Sequence, residues 1–453
     1  MRVLMRMGMS PFDNLDLYSV ISRNAIGTNA GNMLFPYAII KNIYEDDIEI
    51  DAYKSANEKD ADKINETYDM FLIPLTNAFR EDFVEELRNL TKLVQKLKIP
   101  CVVIGVGLQA AYEPDFTISN SFDEDVLQFC NAVLEKSRSI GVRGEITQEY
   151  LVRLGIKRRK IDVIGCPSMY TFGDLLPLKK PLNLSSATRI SFSYNQSRNE
   201  AFYDFFERIK KKYPDYCYIL QSLNEMKLLY AGDTVPGIDK YNKYYIGTAD
   251  SRSFLEGRMR MFINVPSWID FLTKMDLGVG CCIHGSIASV LAGNPTIVFA
   301  FDSRVRELAE YHNIPFRRVE DIKDDTELLD IYESIDFAQV LKGHVERYDN
   351  FKRFLKKNGI SCADVSGYGK ASEFDRRMST ISLNCPEGVV LYRNLPAEEQ
   401  DIQLKNYLKM CDGKINWCHK EKATGNNQKR IDNILVQWEN SKKCCENNIN
   451  KLR

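Results

Sequence analysis

The chain has 453 residues and a formal net charge of −1, from 61 Lys and Arg residues against 62 Asp and Glu residues. This balance gives no electrostatic reason to expect a nucleic-acid partner, because nucleic-acid-binding proteins usually carry a basic excess. The 44% hydrophobic and 27% charged fractions are typical of globular proteins. The length predicts roughly two or three domains.

The sequence contains no apolar run of the ~18 residues that a membrane-spanning helix needs. Arg and Pro interrupt the first residues too early for a secretory signal peptide, so a cytoplasmic location is expected. A peripheral membrane contact and a homo-oligomer are left open. Cys411, Cys418 and His419 do not have the spacing of a standard zinc site, so no metal is predicted.

Short apolar runs alternate with helix-like segments in the first part of the chain, beginning with VLMRMGM. The next predicted strands are 70–75, 101–108, 139–144 and 160–166. The predicted helices are 81–98, 123–137 and 145–156, and the last of these ends at Gly155. This alternation predicts a doubly wound α/β domain with a parallel sheet over residues 1–180.

A polar linker with two prolines follows at 177–189, and the alternation then resumes. The predicted strands are 189–195, 215–223, 277–283 and 296–301. The predicted helices are 200–214, 265–275, 286–293, 303–314 and a continuous segment over 325–358. These elements predict a second Rossmann-like domain over 187–345. A mainly helical or irregular C-terminal extension with a β-like stretch at 388–394 is predicted over 346–453.

One candidate site lies where the apolar run LGVGCCI is followed by His284. The strand is predicted to end at Ile283, and His284, Gly285 and Ser286 to open a helix. Ligands of open parallel sheets bind at such strand ends, and helix N-termini favour anions. Gly285 would let a ligand approach the backbone, and the imidazole could donate a hydrogen bond or a proton. The alternative is a structural histidine at a strand end.

Two further segments place polar residues at comparable positions. Arg143 ends the strand SIGVRG, and a guanidinium can hold a carboxylate or phosphate through two parallel hydrogen bonds. A surface salt bridge to a nearby glutamate is the alternative. Gly31 and Asn32 lie in the Gly- and Asn-rich stretch GTNAGNMLFPYAI, which is a loose phosphate-cradle pattern without a P-loop ending. An ordinary turn is the alternative for this stretch.

The segment FDSRVREL, residues 301–308, is a related candidate. Ser303 is predicted to be the N-cap of a helix, with Arg304 in its first turn. The helix dipole disfavours a cation there, and a bound anion would offset this effect. The alternative is that Arg304 points to solvent.

The chain resembles the polysaccharide pyruvyl transferase family in five segments that occur in consistent order over roughly residues 1–345. These segments are NAGNMLFPYAI, IGVGLQ, SRSIGVRGEITQEYLVRLGI, IDVIGCPSMY and CIHGSIASVLAGNPTIVFAFDSRVRELAEYHNIP. The resemblance implies a GT-B-like fold, with two Rossmann-like doubly wound domains facing a central cleft. It also implies transfer of pyruvate from phosphoenolpyruvate to sugar hydroxyls of a cell-surface glycan or its precursor, with ketal formation and phosphate release.

The resemblance further implies that Arg143 and His284 act in donor binding and catalysis. The remaining residues expected to bind the donor are Gly31, Asn32, Cys282, Gly285, Ser286, Ser303 and Arg304. Arg143 would clamp one anionic group, the helix start and the AGN loop would face the other, and a protonated His284 would be the general acid. The family often has an arginine where this chain has Cys282, so Arg304 or a lysine would have to supply that charge.

Phosphoenolpyruvate is expected as a co-substrate, and no cofactor is implied. The expected acceptor is a glycan or a lipid-linked oligosaccharide, which would place the protein at the inner face of the cell membrane. Two alternatives stay open. The first is a nucleotide-sugar glycosyltransferase of the same two-domain build, and the second is a degenerate relative that binds a glycan or a partner protein without catalysis.

Overall fold

The computed structural model describes residues 1–193, 200–236, 251–365, 371–423 and 428–452. Its strands, numbered along the chain, are β1 Arg2–Met5, β2 Glu49–Ala52, β3 Met70–Pro74, β4 Cys101–Ile104, β5 Ile140–Val142, β6 Ile161–Val163, β7 Ile190–Ser193, β8 Tyr216–Ile219, β9 Met259–Arg260, β10 Leu277–Gly280, β11 Thr296–Ala300 and β12 Phe316–Arg318. Its α-helices are α1 Leu17–Ser22, α2 Gly31–Ile43, α3 Ala61–Thr67, α4 Val84–Lys96, α5 Asp123–Lys136, α6 Glu145–Arg153, α7 Glu200–Lys212, α8 Leu223–Ala231, α9 Arg252–Leu255, α10 Val265–Thr273, α11 Ile283–Leu291, α12 Ser303–Tyr311, α13 Leu328–Glu333, α14 His344–Lys357, α15 Glu373–Ser379, α16 Ala397–Ala423 and α17 Gln428–Leu452.

The chain divides into two compact units. The first unit consists of Met1–Asp13, Gly31–Asp215 and Ile269–Ser382. The second unit consists of Asn14–Ala30, Tyr216–Trp268 and Leu383–Arg453. The domain boundaries near residues 180 and 345 stay predictions from the sequence.

The first unit contains a parallel sheet with the strand order β2-β1-β3-β4. Residues of β3 and β4 are buried throughout, as expected for parallel strands covered on both faces. A parallel bridge between Val106 and Val142 connects the segment after β4 to β5, which pairs with β6. Helix α4 buries a stripe of apolar residues, Leu87, Leu90, Leu93 and Val94, against this sheet's core. The predicted amphipathic helix is thereby confirmed.

The same unit contains strands β12, β11, β10 and β7, which pair in that order and in parallel. Strand β10 pairs in parallel with β7, although the two are far apart in the chain, so the carboxyl ends of these two strands are neighbours. Crevices of this kind are where open α/β sheets bind ligands. The α/β class, with parallel sheets and flanking helices, is confirmed.

The second unit contains the parallel pair β8 and β9 and the two long helices α16 and α17. These helices run antiparallel, because Lys422 at the end of α16 pairs with Asp432 near the start of α17, while Lys442 further along α17 pairs with Asp412 at 2.7 Å. The buried carboxylate of Asp233 accepts hydrogen bonds from Tyr407 at 2.7 Å and from Ser441 at 2.5 Å. The mainly helical C-terminal extension is confirmed.

Three local predictions are wrong. The β-like stretch 388–394 forms no strand in the described structure and instead ends in a 3₁₀ turn. The predicted continuous helix over 325–358 is divided, because α13 ends at Glu333, a 3₁₀ helix follows over Phe337–Leu341, and Gly343 adopts a left-handed conformation with φ of 71° just before α14. The predicted strand 277–283 ends at Gly280, and α11 already begins at Ile283. Across the described ranges, no helix is both long enough and apolar enough to cross a bilayer.

Candidate functional site

The turn between β10 and α11 is held by hydrogen bonds to β7. The backbone N–H groups of Cys281 and Cys282 both donate to the carbonyl oxygen of Ser193, at 2.8 and 3.0 Å. Cys282 is the N-cap residue, and its side chain makes no capping hydrogen bond. His284 is therefore the second residue of α11 and lies in its first turn, where backbone N–H groups have no carbonyl partner within the helix.

The imidazole of His284 packs directly against the first residue of α2. A Cβ atom placed on Gly31 would lie 2.6 Å from the Cβ of His284 and 2.8 Å from its Nδ1. Real side chains essentially never approach so closely, so only glycine fits at position 31 with the histidine in this place. Gly31 is buried, while Asn32 beside it and His284 itself stay partly exposed.

Arg143 follows β5 and is almost fully buried, with 2% of its surface exposed. Its backbone N–H donates to Val106, and its Nε donates to the carbonyl oxygen of Gly105 at 3.0 Å. The guanidinium carbon lies 5.8 Å from the ring centre of Phe35. Its Nη2 has no hydrogen-bond partner among the described residues. A buried, charged donor without a partner is costly, so this nitrogen is a natural contact for an anionic ligand.

Arg143 and His284 lie close enough to influence each other electrostatically. Burial, followed by the charges of Arg143 and Arg304, lowers the pKa of His284 to about 3. The imidazole of the free site is therefore neutral near pH 7, and a protonated His284 in the donor complex stays a prediction. The Sγ atom of Cys166 lies 4.0 Å from Nε2 of His284, and burial raises the pKa of this thiol.

The start of α12 differs from the prediction at one residue. Asp302, not Ser303, is the N-cap, and its side chain accepts from the backbone N–H of Val305 at 3.1 Å. The carboxylate accepts hydrogen bonds better than a hydroxyl, and Ser303 is instead buried against the loop after β4. Its hydroxyl accepts from the N–H of Ala110 at 3.0 Å. Arg304 does not simply point to solvent, because its Nε donates to Asp302 at 2.7 Å.

The other residues predicted for the site lie around these groups. Gly285 is buried in α11, and so is Ser286, whose N–H donates to the carbonyl oxygen of Cys282 at 3.0 Å. The hydroxyl of Ser286 is buried and has no hydrogen-bond partner within the described part of the chain. It is therefore a second unsatisfied polar atom, on α11, besides Nη2 of Arg143.

The matching protein-family model is that of polysaccharide pyruvyl transferases, and it covers residues 29–303. The chain belongs to the polysaccharide pyruvyl transferase family. The resemblance found in the five sequence segments is therefore confirmed. The matched range includes every predicted site residue except Arg304, which follows it directly. No curated protein matches the chain.

Solved structures resemble the chain only distantly. Anabaena Alr3699/HepE in complex with UDP and glucose is 12% identical, with 79% of this chain and 97% of that chain covered and a TM-score of 0.38. The UDP-GlcNAc 2-epimerase from Neisseria meningitidis is 9% identical, with 79% and 100% covered and a TM-score of 0.41. KP1_0663 from Klebsiella pneumoniae is 10% identical, with 70% and 92% covered and a TM-score of 0.39.

Glu307 interacts electrostatically with Arg143, and the sequence reasoning missed it. It is buried on α12 and accepts hydrogen bonds from the N–H of Thr147 at 3.1 Å and from its hydroxyl at 2.8 Å. Burial raises its pKa to about 7, although the Thr147 hydrogen bonds and the charge of Arg143 act in the opposite direction. One turn separates Glu307 from Ser303, so both residues lie on the same helix face. This one-turn spacing from Ser303 is the sequence feature that could have indicated Glu307.

The site contains no obvious place for a metal ion. Among the described residues, no group of three or more His, Cys, Asp or Glu side chains could hold one. The positive charges of Arg143 and Arg304 are instead the groups that could face an anion.

Replacing Gly31 with alanine should impair activity by displacing His284. The new methyl group would overlap the Cβ and Cγ atoms of the histidine, which are too near the backbone to move freely. We expect turnover to fall at least ~10-fold and stability to fall by about 1–3 kcal/mol, as is typical of overpacking. Steady-state kinetics and thermal unfolding would measure the two effects.

Gly413→Ala is the matched control, because position 413 also lies in a helix and an added Cβ would meet no atom within 4 Å. This variant should keep full activity and gain about 0.5–1 kcal/mol of stability from the better helix former. Unchanged activity in Gly31→Ala would show that the imidazole position does not matter.

Proposed function

We propose that this member of the family transfers pyruvate from phosphoenolpyruvate to a sugar hydroxyl. One observation carries the proposal. An unpartnered nitrogen of the buried Arg143, the first turn of α11 and the imidazole of His284 belong to one site. This combination supplies a fixed cation, an anion-favouring helix terminus and a proton carrier. A small doubly anionic donor such as phosphoenolpyruvate matches those three features.

Arg143 is assigned to donor binding, because its guanidinium is positioned by Gly105 and still has Nη2 available. His284 is assigned to proton transfer. The first turn of α11, with Ser286, would contribute neutral hydrogen-bond donors to the bound anion. Glu307 is a positioning residue in this scheme. Its carboxyl group interacts electrostatically with Arg143 and does not need to contact the substrate.

The proposed reaction forms a ketal and releases phosphate. C3 of the enol gains a proton from the imidazolium of His284 while the oxygen of a sugar hydroxyl adds to C2, and the proton of that hydroxyl then passes to the neutral imidazole. The bond between C2 and the phosphate oxygen then breaks, and the electron pair leaves with phosphate. A second sugar hydroxyl closes the ketal at C2 and gives up its proton to solvent or to the phosphate. Oxidation states balance without a redox partner.

The direct test is incubation of the full chain with phosphoenolpyruvate and a panel of glycan and lipid-linked oligosaccharide precursors. Phosphate release together with a pyruvate-shifted product mass would support the proposal. Nucleotide sugars should be tested in parallel. Glycosyl transfer from one of them, with no phosphate release from phosphoenolpyruvate, would favour the glycosyltransferase alternative. A cytoplasmic location at the inner face of the membrane, where such precursors would be met, is part of the proposal.

Donor binding should take up a proton. The pKa of His284 is about 3 in the free site, where Arg143 and Arg304 are its charged neighbours. A bound anion favours the charged imidazolium and therefore raises this pKa. Below this raised pKa the complex holds more protons than the free protein, so affinity should rise by up to about tenfold per pH unit as pH falls from the raised value towards about 3.

Calorimetry in two buffers with different ionisation enthalpies would measure the proton uptake. The phosphate group of the donor and Glu307 also titrate in this range, so His284→Gln is needed as the control. The uptake specific to His284 is the difference between the two proteins. Equal uptake in wild type and His284→Gln would contradict the assignment of the proton to the imidazole.

A further inference from the structure

A second group of polar side chains lies beyond the carboxyl ends of β3 and β4 and includes Arg80, which the sequence reasoning did not single out. When the side-chain oxygen of Asn77 faces the neighbouring guanidinium groups, it accepts hydrogen bonds from Nη1 of Arg80 at 2.7 Å and from Nη1 of Arg304 at 2.8 Å. Two positively charged groups therefore converge on a single amide oxygen.

Each arginine also has one carboxylate neighbour, but through other nitrogens. Asp302 contacts Nε of Arg304 at 2.7 Å and its Nη2 at 2.5 Å. Asp82 lies 2.8 Å from Nε of Arg80, and its side chain is 76% exposed, so this ion pair is weak. Burial lowers the pKa of Arg80, and the nearby charge of Arg304 lowers it further, against the effect of Asp82. The two guanidinium groups repel each other, and a bound anion would offset this repulsion better than the neutral amide oxygen of Asn77 does.

The cluster is open to solvent. The side chains of Arg80 and Arg304 are 30% and 24% exposed. Gln109 is an exposed residue of the loop after β4. Its Oε1 atom lies 3.0 Å from the Asn77 side-chain oxygen that the two arginines contact. Nη1 of Arg80 also donates to Oε1 of Gln109 at 3.5 Å, so a ligand would reach the two Nη1 atoms by displacing the neutral side chains of Asn77 and Gln109, without disrupting either arginine–aspartate pair.

We propose that Arg80 and Arg304, with Asn77 between them, form a subsite for a phosphate group of a bound substrate. Guanidinium groups bind phosphate oxygens through short, charge-assisted hydrogen bonds, and two of them match a tetrahedral group with several acceptor oxygens. The phosphate belongs either to phosphoenolpyruvate or to the diphosphate of an activated sugar, since both offer the same oxygens. The subsite does not depend on which reaction the protein catalyses.

Calorimetric titration of the full chain with inorganic phosphate tests the subsite, with oxalate as a probe that carries only carboxylates. Arg80→Gln and Arg304→Gln should each weaken phosphate binding at least ~10-fold and change oxalate binding less than ~2-fold. Arg88→Gln is the matched control, because Arg88 is an exposed arginine of α4 paired with Asp125. Circular dichroism would show that the variants are folded.

The subsite is overturned if wild type does not bind phosphate at 10 mM, roughly the weakest affinity expected of a single ionic contact. It is also overturned if either variant binds phosphate normally, or if oxalate binding falls as much as phosphate binding. If wild type does not bind oxalate, the phosphate titrations decide alone.

Parallel titrations of wild type and Arg80→Gln would identify the source of the phosphate. Weaker binding of phosphoenolpyruvate in the variant assigns the subsite to the donor. Weaker binding of pyrophosphate and uridine diphosphate, with phosphoenolpyruvate unaffected, assigns it to an activated sugar. If wild type binds pyrophosphate through Arg80 but does not bind phosphoenolpyruvate at all, the subsite stands and the proposed donor falls. Unchanged binding of all three ligands contradicts the subsite.

Discussion

Replacing His284 with alanine is expected to lower the turnover of pyruvyl transfer by about 10²–10⁴-fold, the usual contribution of a positioned proton donor. The imidazole is the proton carrier that packs against Gly31 and lies in the first turn of α11. Its partly exposed position lets the shorter side chain be tolerated, so the fold should survive. Phosphate release from phosphoenolpyruvate in the presence of an acceptor would measure turnover, and thermal unfolding would measure stability.

His419→Ala provides the matched control, since His419 is an exposed histidine on α16 in the second unit. Its removal should change neither turnover nor stability measurably. A comparison with His284→Gln separates proton transfer from packing, because glutamine keeps most of the volume but cannot carry the proton. Turnover close to that of wild type in both position-284 variants would remove this histidine from the mechanism.

The strands were predictable because parallel strands covered on both faces appear as uninterrupted apolar runs. The segment 70–75 became β3 almost residue for residue. Element ends were harder to predict, because they depend on backbone conformation and on hydrogen bonds to distant residues. The run 101–108 stops being a strand at Ile104, where Gly105 takes φ of 70°. The strand before His284 ends at Gly280, where two N–H groups turn towards Ser193.

Arg143 and His284 could be singled out from the sequence because both follow an apolar strand, and their roles stay predictions. Their surroundings were not predictable, since they arise from segments far apart in the chain. The sequence carries no local signal that Gly31 packs against His284. Glu307 and Arg80 were missed because charged residues in helical or loop patterns are usually solvated. The neutral state of His284 follows from burial and two neighbouring arginines, which only the folded structure brings together.

Arg143→Lys is expected to weaken phosphoenolpyruvate binding by about 10–100-fold while the fold is kept. Lysine retains the charge but loses the planar fork, so it cannot donate to Gly105 and contact the donor in the same fixed geometry. The unsatisfied carbonyl should also lower stability by about 1–3 kcal/mol. Calorimetry with phosphoenolpyruvate and thermal unfolding would measure the two effects separately.

Arg153→Lys is the control for a general effect of this substitution, because Arg153 lies on the neighbouring helix α6 and pairs with Asp123 at 3.1 Å. An ammonium group can maintain that ion pair, so donor affinity should be unchanged. For Arg143→Lys, it matters whether donor binding or turnover falls. Weaker binding with a smaller change in turnover means that the guanidinium acts mainly before the chemical step, whereas a loss confined to turnover assigns it to the transition state. Unchanged affinity and turnover in folded Arg143→Lys would contradict the assignment of Arg143 to the donor site.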